Sequence, residues 1–439
     1  MILAAFRVKS FRFQWPADLL TSWAFEMETL ILGWYVIVQT GSVLLLTVFG
    51  SLQFLGTLAA PMFGVLADRV GARLMLCAMR TVYATLAALV MLLAFTGLLA
   101  PAWVFVLAGL NGLVRPNDLV MRNTLIGETI PPGHLMGALG MSRATMDSAR
   151  VGGALAGAGL STLLGIGVTY ACVTSFYLAS LALTLGVARA RPVPDPAAPS
   201  PYPLPLAGER EERVPPSPPP GEESRVKGLP LQGSGWRELR DGIAHIVRRP
   251  QLLALMWLAF LVNLTAYPVS GGLLPYVARQ IYQVDATGLG SLVASFSLGA
   301  LLASIAMVLT GGPRRPERFT LVCTVCWYVL LAAFGHVQSM RVGLLVLFAA
   351  GFVQSIAMIS MTATLLIATG GAFRARVMGV RMLAVYGLPL GLLAAGALIE
   401  RIGYPLTITA LAAVGLSLTV LIGIKWRAAV WRRARAVTA

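Results

Sequence analysis

Asp18, Glu26 and Glu28 fall inside or beside one apolar stretch, Trp15–Gln39. A desolvated carboxylate can take up and release a proton near neutral pH, so these acids are candidates for proton coupling. In a helix, Glu26 and Glu28 stand about 200° apart and lie about 16–20 Å along it. That depth is near the middle of a bilayer, and the two cannot share a face. Asp18 is expected near one end, where it reaches water at little cost. A charge at the centre of a spanning helix costs about 2.5–3.5 kcal/mol on an insertion scale. One glutamate is therefore expected to face a central cavity and the other a neighbouring helix. The plainer alternative is a glutamate hydrogen-bonded within the bundle as a structural contact.

Other charges recur at helical spacing. Arg115, Asp118 and Arg122 stand at i, i+3 and i+7, one face of a helix and the makings of a charge ladder. Asp118 is a candidate partner for Arg73. Arg115 lies deeper and can meet an anionic substrate or a carboxylate of the first span. Further along, Asn263, Tyr267, Pro268, Gly271, Gly272 and Pro275 share one apolar run. Proline with paired glycines predicts a broken helix bending around a cavity, with Asn263 and Tyr267 towards it. Trp23, Phe54 and Tyr386 can line the same pocket or pack in the core. The small-residue run Arg150–Gly159 predicts close helix packing.

The elements that must position these residues follow from composition. Of 439 residues, 57% are hydrophobic and 12% charged, with mean hydropathy +0.78, against about 25% charged in soluble domains. At about 20 apolar residues per crossing, twelve spans are expected. Six are Trp15–Gln39, Val43–Leu66, Arg73–Phe95, Ala102–Val120, Ala144–Leu164 and Val168–Val187. Six more are Leu252–Val277, Leu289–Leu309, Phe319–Gly335, Val342–Ala368, Val377–Ile399 and Pro405–Ile424.

The net charge of +16 comes from bases at span ends, a topology pattern and not a phosphate-binding patch. Most, including Arg7, Lys9, Arg12, Arg73, Arg314, Arg374 and the tail Lys425–Arg435, fall on one side. Both termini are thus expected in the cytoplasm. Between the sixes lies a Pro-rich stretch too polar to bury a core. The expected organisation is a bundle over residues 1–188, a linker over 189–250 and a second bundle over 251–439. Trp236, Leu239, Ile243, Ile246 and Val247 predict a short amphipathic helix on the membrane surface at the linker's end. Cys323 and Cys326 lack a second pair or a histidine cluster, so packing is expected of them. His134, His245 and His336 are scattered, and no phosphate-binding G-x-x-x-x-G-K-[ST] loop is present. Neither an enzyme nor a self-powered ATPase is expected.

The connection Gly64-Val65-Leu66-Ala67-Asp68-Arg69-Val70-Gly71-Ala72-Arg73 resembles the signature loop between helices 2 and 3 of the major facilitator superfamily. Its layout, six helices, linker and six helices, is similar too. Leu274–Arg279, Ala286–Gly290, Leu298–Leu302, Arg374–Gly379 and Gly387–Gly391 resemble the enterobactin-exporter-like, drug-efflux branch. The resemblance implies an all-α membrane protein of twelve helices in two bundles. It implies a monomeric secondary transporter of the inner (plasma) membrane, without cofactor, exporting a small amphiphilic drug, siderophore or metabolite against proton entry. A proton-coupled importer of the same fold is the alternative. The branch has a polar glutamine at the place of Glu28, which favours Glu28 for the cavity and the proton. It implies a conformational latch of Gly64, Asp68, Arg69, Gly71, Arg73 and Asp118. In that latch Asp68 faces the helix start near Val377–Gly379 and gains about 0.3–1 kcal/mol from its dipole. Ala72 stands where the family has a base, so Arg73 or Arg69 must pair with the acid of helix 4.

Overall fold

A bilayer offers the backbone no partners, so the apolar runs must satisfy their own N–H and C=O groups as helices. The computed structural model describes residues 6–57, 70–130, 132–187, 235–310, 312–313, 315–369 and 374–427. In the first half these form α1 (Lys9–Thr40), α2 (Val43–Leu52), α3 (Ala72–Phe95), α4, α5 (132–164) and α6 (166–185). α4 runs over Pro101–Val114, tightens to a 3-10 turn at Arg115–Asn117 and continues as Asp118–Thr129. Pro116 lacks an N–H and crowds the preceding turn, which accounts for the break.

After the linker come α7 (Gly235–Val247), α8 (Pro250–Thr265, continuing through π-helical turns to Ile281), α9 (Ala286–Thr310), α10 (Pro316–Phe334) and α11 (Met340–Thr369). α12 begins as Arg374–Leu383 and continues as Gly387–Ile402, and α13 is Tyr404–Lys425. Eleven of the predicted spans fall on these helices, while Val43–Leu66 begins on α2 and its residues 58–66 lie outside the described ones; most helices run several residues past the apolar core. Among the described residues, eight spans are long and apolar enough to cross a membrane, one of them running through α5 and α6. The π turns lie at Pro268–Gly272 and Val277–Ile281, where the proline and glycines predicted a broken helix.

Local chemistry sets the turns. Gly41 ends α1 at φ 65, a left-handed conformation that favours glycine, and its N–H reaches the Ile37 carbonyl. Ser42 then caps α2 by accepting from the Leu45 N–H at 3.3 Å.

The halves meet on the side away from Lys9 and Lys425. The Gly33 backbone lies against Pro275, Gly50 against Leu392, and Gly396 beneath Thr47. Ser51 donates to the Pro389 carbonyl at 3.1 Å and Ser42 to Glu400 at 3.2 Å. A β-carbon on Gly290 of α9 would come within 2.6 Å of Ala158 Cβ on α5. The small residues of α5 therefore serve close packing, as their density predicted.

α7 only partly matches its expectation. Ile246 is buried in a cluster with Leu252, Met256, Met361 and Val377, and Arg249 caps α11 by donating to the Ala368 carbonyl at 2.8 Å. Ile243 and Val247 stay exposed. Of the described residues of its apolar stripe, Ile246 is the one that anchors the helix to the second bundle. The side chains of Trp236 and Leu239 lie outside the described residues.

Candidate functional site

The first bundle holds three polar clusters. The first joins α1, α3, α4 and α6. Asp18 is paired with Arg80, Asp118 is paired with Arg122, and Arg122 Nε lies 3.6 Å from Asp18 Oδ1. Arg122 also donates to Ser22 Oγ at 2.8 Å and to the Asp18 carbonyl at 3.2 Å. Arg80 reaches the Ser180 carbonyl at 3.4 Å and the Thr184 hydroxyl. All four charged residues are buried. Two carboxylates balance two guanidinium groups, the only economical way to hold such charges out of water.

This cluster corrects two expectations. Asp18 does not reach water: its position along α1 is near the end, but α3, α4 and α6 cover it. Asp118 does not pair with Arg73, because Arg122, one turn along α4, takes its carboxylate. Arg73 instead donates to the carbonyls of Thr184, at 3.4 Å, and Leu185. It thereby caps the C-terminal end of α6, where cations are favoured. Gly71 sits before α3 at φ 89, a backbone that glycine suits. Gly64, Asp68 and Arg69 lie outside the described residues.

The second cluster surrounds Glu28, which is 5% exposed. Its Oε2 accepts from Asn111 Nδ2 at 3.0 Å and from the Tyr177 hydroxyl at 2.9 Å. Beside it is a tight pocket walled by α1, α2 and α4, with Gln53 and Arg115 at its border. Arg115 donates to Thr29 Oγ1 and Gln53 Oε1, both at 2.8 Å, and stacks over Phe25 at 4.5 Å.

The third cluster is more open. Glu26 Oε1 lies 3.6 Å from Arg150 Nε, with side-chain exposures of 27% and 45%. Gly152 and Gly153 let α5 press on Trp23 and the Glu26 stem, which brings Arg150 to Glu26.

The two glutamates thus divide as their 200° separation required, but in the other sense. Glu28 faces neighbouring helices, and Glu26 stands part-buried against Arg150 of α5. Glu28 shares its face with Thr21, Ala24, Ile31 and Tyr35, which are all buried. Asn263 turns back to the Ala259 carbonyl of its own helix at 2.8 Å. Tyr267 accepts from Gln354 at 2.7 Å and meets Trp327 edge-on. Asn111, Tyr177, Gln53 and Arg150 carry much of this geometry and were not singled out as site residues. Charges inside the runs of α3 and α5 were the available signal for Arg80 and Arg150. For the neutral partners there was none.

Buried polar groups inside a twelve-helix membrane bundle fit a transporter, and the sequence comparison decides the family. The family model of the Major Facilitator Superfamily matches residues 17–389. The chain belongs to this superfamily. Like other facilitators it is a multi-pass membrane transporter and not an enzyme. None of the curated proteins matches this facilitator in sequence. Among solved structures it is similar to the nucleoside transporter NupG, at 14% identity over 96% of this chain and 98% of that one, with TM-score 0.66. It is similar to a POT family transporter in complex with 5-aminolevulinic acid, at 13% identity, covering 96% and 97%, with TM-score 0.68. It is also similar to the human organic anion transporter MFSD10, at 14% identity, covering 94% and 99%, with TM-score 0.62. At these identities the likeness shows the fold alone.

Proposed function

We propose that this facilitator exports a small amphiphilic molecule in exchange for protons, with Glu28 as the proton carrier and both termini in the cytoplasm. The observation that carries the reading is the company Glu28 keeps. Asp18, Asp118 and Glu26 are each paired with an arginine, so protonating any of them breaks an ion pair. Glu28 is held by two neutral donors, Asn111 and Tyr177. A proton on Glu28 leaves those partners usable, since the tyrosine hydroxyl can donate or accept. Glu28 itself lines the small adjoining pocket, with Arg115 at its border. Glu26, part-buried and paired with Arg150, is the second acid that transport brings into play. The bases gathered at one set of helix ends support the cytoplasmic termini, in the inner (plasma) membrane. Asp68, with Arg69 and Gly64, acts as the latch against the start of α12, and the Pro-rich linker tethers the halves.

Purified protein in liposomes loaded with dyes, macrolides and siderophores tests this. Substrate flux opposite to an imposed proton gradient, lost in Glu28→Gln, is expected. Flux along the gradient makes the protein an importer, and gradient-independent flux in the variant removes Glu28 from the mechanism. Asp68→Asn is expected to abolish transport while leaving membrane insertion intact.

A further inference from the structure

On the side away from the chain ends, a cavity of about 280 Å³ opens between α1, the α5–α6 turn and the start of α9. Its volume is close to the lower range of small-molecule sites, about 300–1,000 Å³. Trp34 and Tyr35 stand on its α1 wall and Asp285 on its α9 wall. Ser161 and Thr162 contribute little polarity, because both hydroxyls bond back to the Ala158 carbonyl of their own helix. Tyr35 is anchored through its hydroxyl to the Leu99 carbonyl at 2.7 Å. Asp285 uses one oxygen, Oδ1, for both the Thr287 hydroxyl at 2.5 Å and the Gly288 N–H at 3.0 Å. Its other oxygen takes no hydrogen bond among the described residues. Among the described residues, no lysine or arginine lines the cavity. Aromatic faces beside an unneutralised carboxylate attract cations with an apolar body.

The location adds a role. Ser161 and Thr162 lie one turn beyond Ala158, and Asp285 lies one turn before Gly290, the pair that closes α5 on α9. The cavity is therefore the vestibule immediately past that closure. We propose that this vestibule is a binding station for organic monocations, held by Asp285 and the Trp34 and Tyr35 rings. The inference rests on the transporter reading only for the statement that such cations are the cargo. It names their class: one positive charge on an apolar or aromatic body.

The test is equilibrium binding of tetraphenylphosphonium to the full-length protein in nanodiscs, without a gradient and corrected for empty nanodiscs. Asp285→Asn is the informative variant. Asparagine keeps the oxygen that caps α9 and removes only the charge. Affinity is expected to fall about tenfold in Asp285→Asn and in Trp34→Leu, with the thermal midpoint of Asp285→Asn lowered less than that of Asp285→Ala. Equal affinity in Asp285→Asn, or equal binding of the tetraphenylborate anion, overturns the proposal. Binding that follows this pattern without any transport leaves the vestibule standing and sinks the proton-exchange reading instead.

Discussion

Asp118 and Arg122 form a buried ion pair one turn apart on α4, and Arg122 also lies 3.6 Å from Asp18 on α1. The pair thus joins helices instead of decorating one. Removing one member of a buried pair strands the other without water, a loss of about 3–5 kcal/mol. Arg122→Ala is therefore expected to lower the thermal midpoint in detergent far more than Arg73→Ala. Arg73, partly exposed, only caps carbonyls at the end of α6, worth about 0.3–1 kcal/mol. Equal midpoints for the two variants contradict this ordering.

Glu28 and Tyr177 share one hydrogen bond at 2.9 Å. Tyr177→Phe and Glu28→Gln are expected to be non-additive in stability, with a coupling of about 0.5–3 kcal/mol. A double-mutant cycle by chemical unfolding measures it. Additive losses mean that the two side chains do not act as a unit.

Gly290 lets α9 approach α5, and a β-carbon there would also lie 3.1 Å from the Ala154 carbonyl oxygen. Gly290→Leu is expected to push the helices apart and slow transport at least about tenfold, since packed interfaces do not deform gradually. Spin labels at Thr162→Cys and Thr287→Cys, read by pulsed dipolar spectroscopy, should report a longer distance than without the substitution. An unchanged distance with full transport shows that this contact does not govern closure.

Asp285 caps α9, and the Thr287 hydroxyl, then the Gly288 N–H, hold its carboxyl below the ordinary carboxylate value. The folded protein therefore prefers the ionised form. The resulting stability is complete above the unfolded value, about 3.9, and is lost as pH falls through the lower folded value. Asp285→Ala should cost about 1 kcal/mol at neutral pH, as a lost cap does. Asp285→Asn should keep most of the cap and lose this share of the acid sensitivity. Thermal midpoints between pH 5 and pH 3 check both signs.

Runs of apolar residues and the charges that end them were enough to read the helices. Those features answer to the bilayer, a solvent that acts on each segment separately. The broken helix at Pro268–Gly272 and the close approach of α5 to α9 were also readable, because proline, glycine and small-residue runs act through local backbone and volume. The rotation of α1 was not. Spacing separates Glu26 from Glu28, but only the surrounding helices decide which of them meets Tyr177 and which meets Arg150. The same holds for Asp118, whose partner was chosen by the proximity of Arg122 and the distant anchoring of Arg73. A sequence determines which residues share a helix face. Which neighbour that face meets depends on contacts such as that of Glu28 with Tyr177, 149 positions away, and only packing of the whole bundle brings those together.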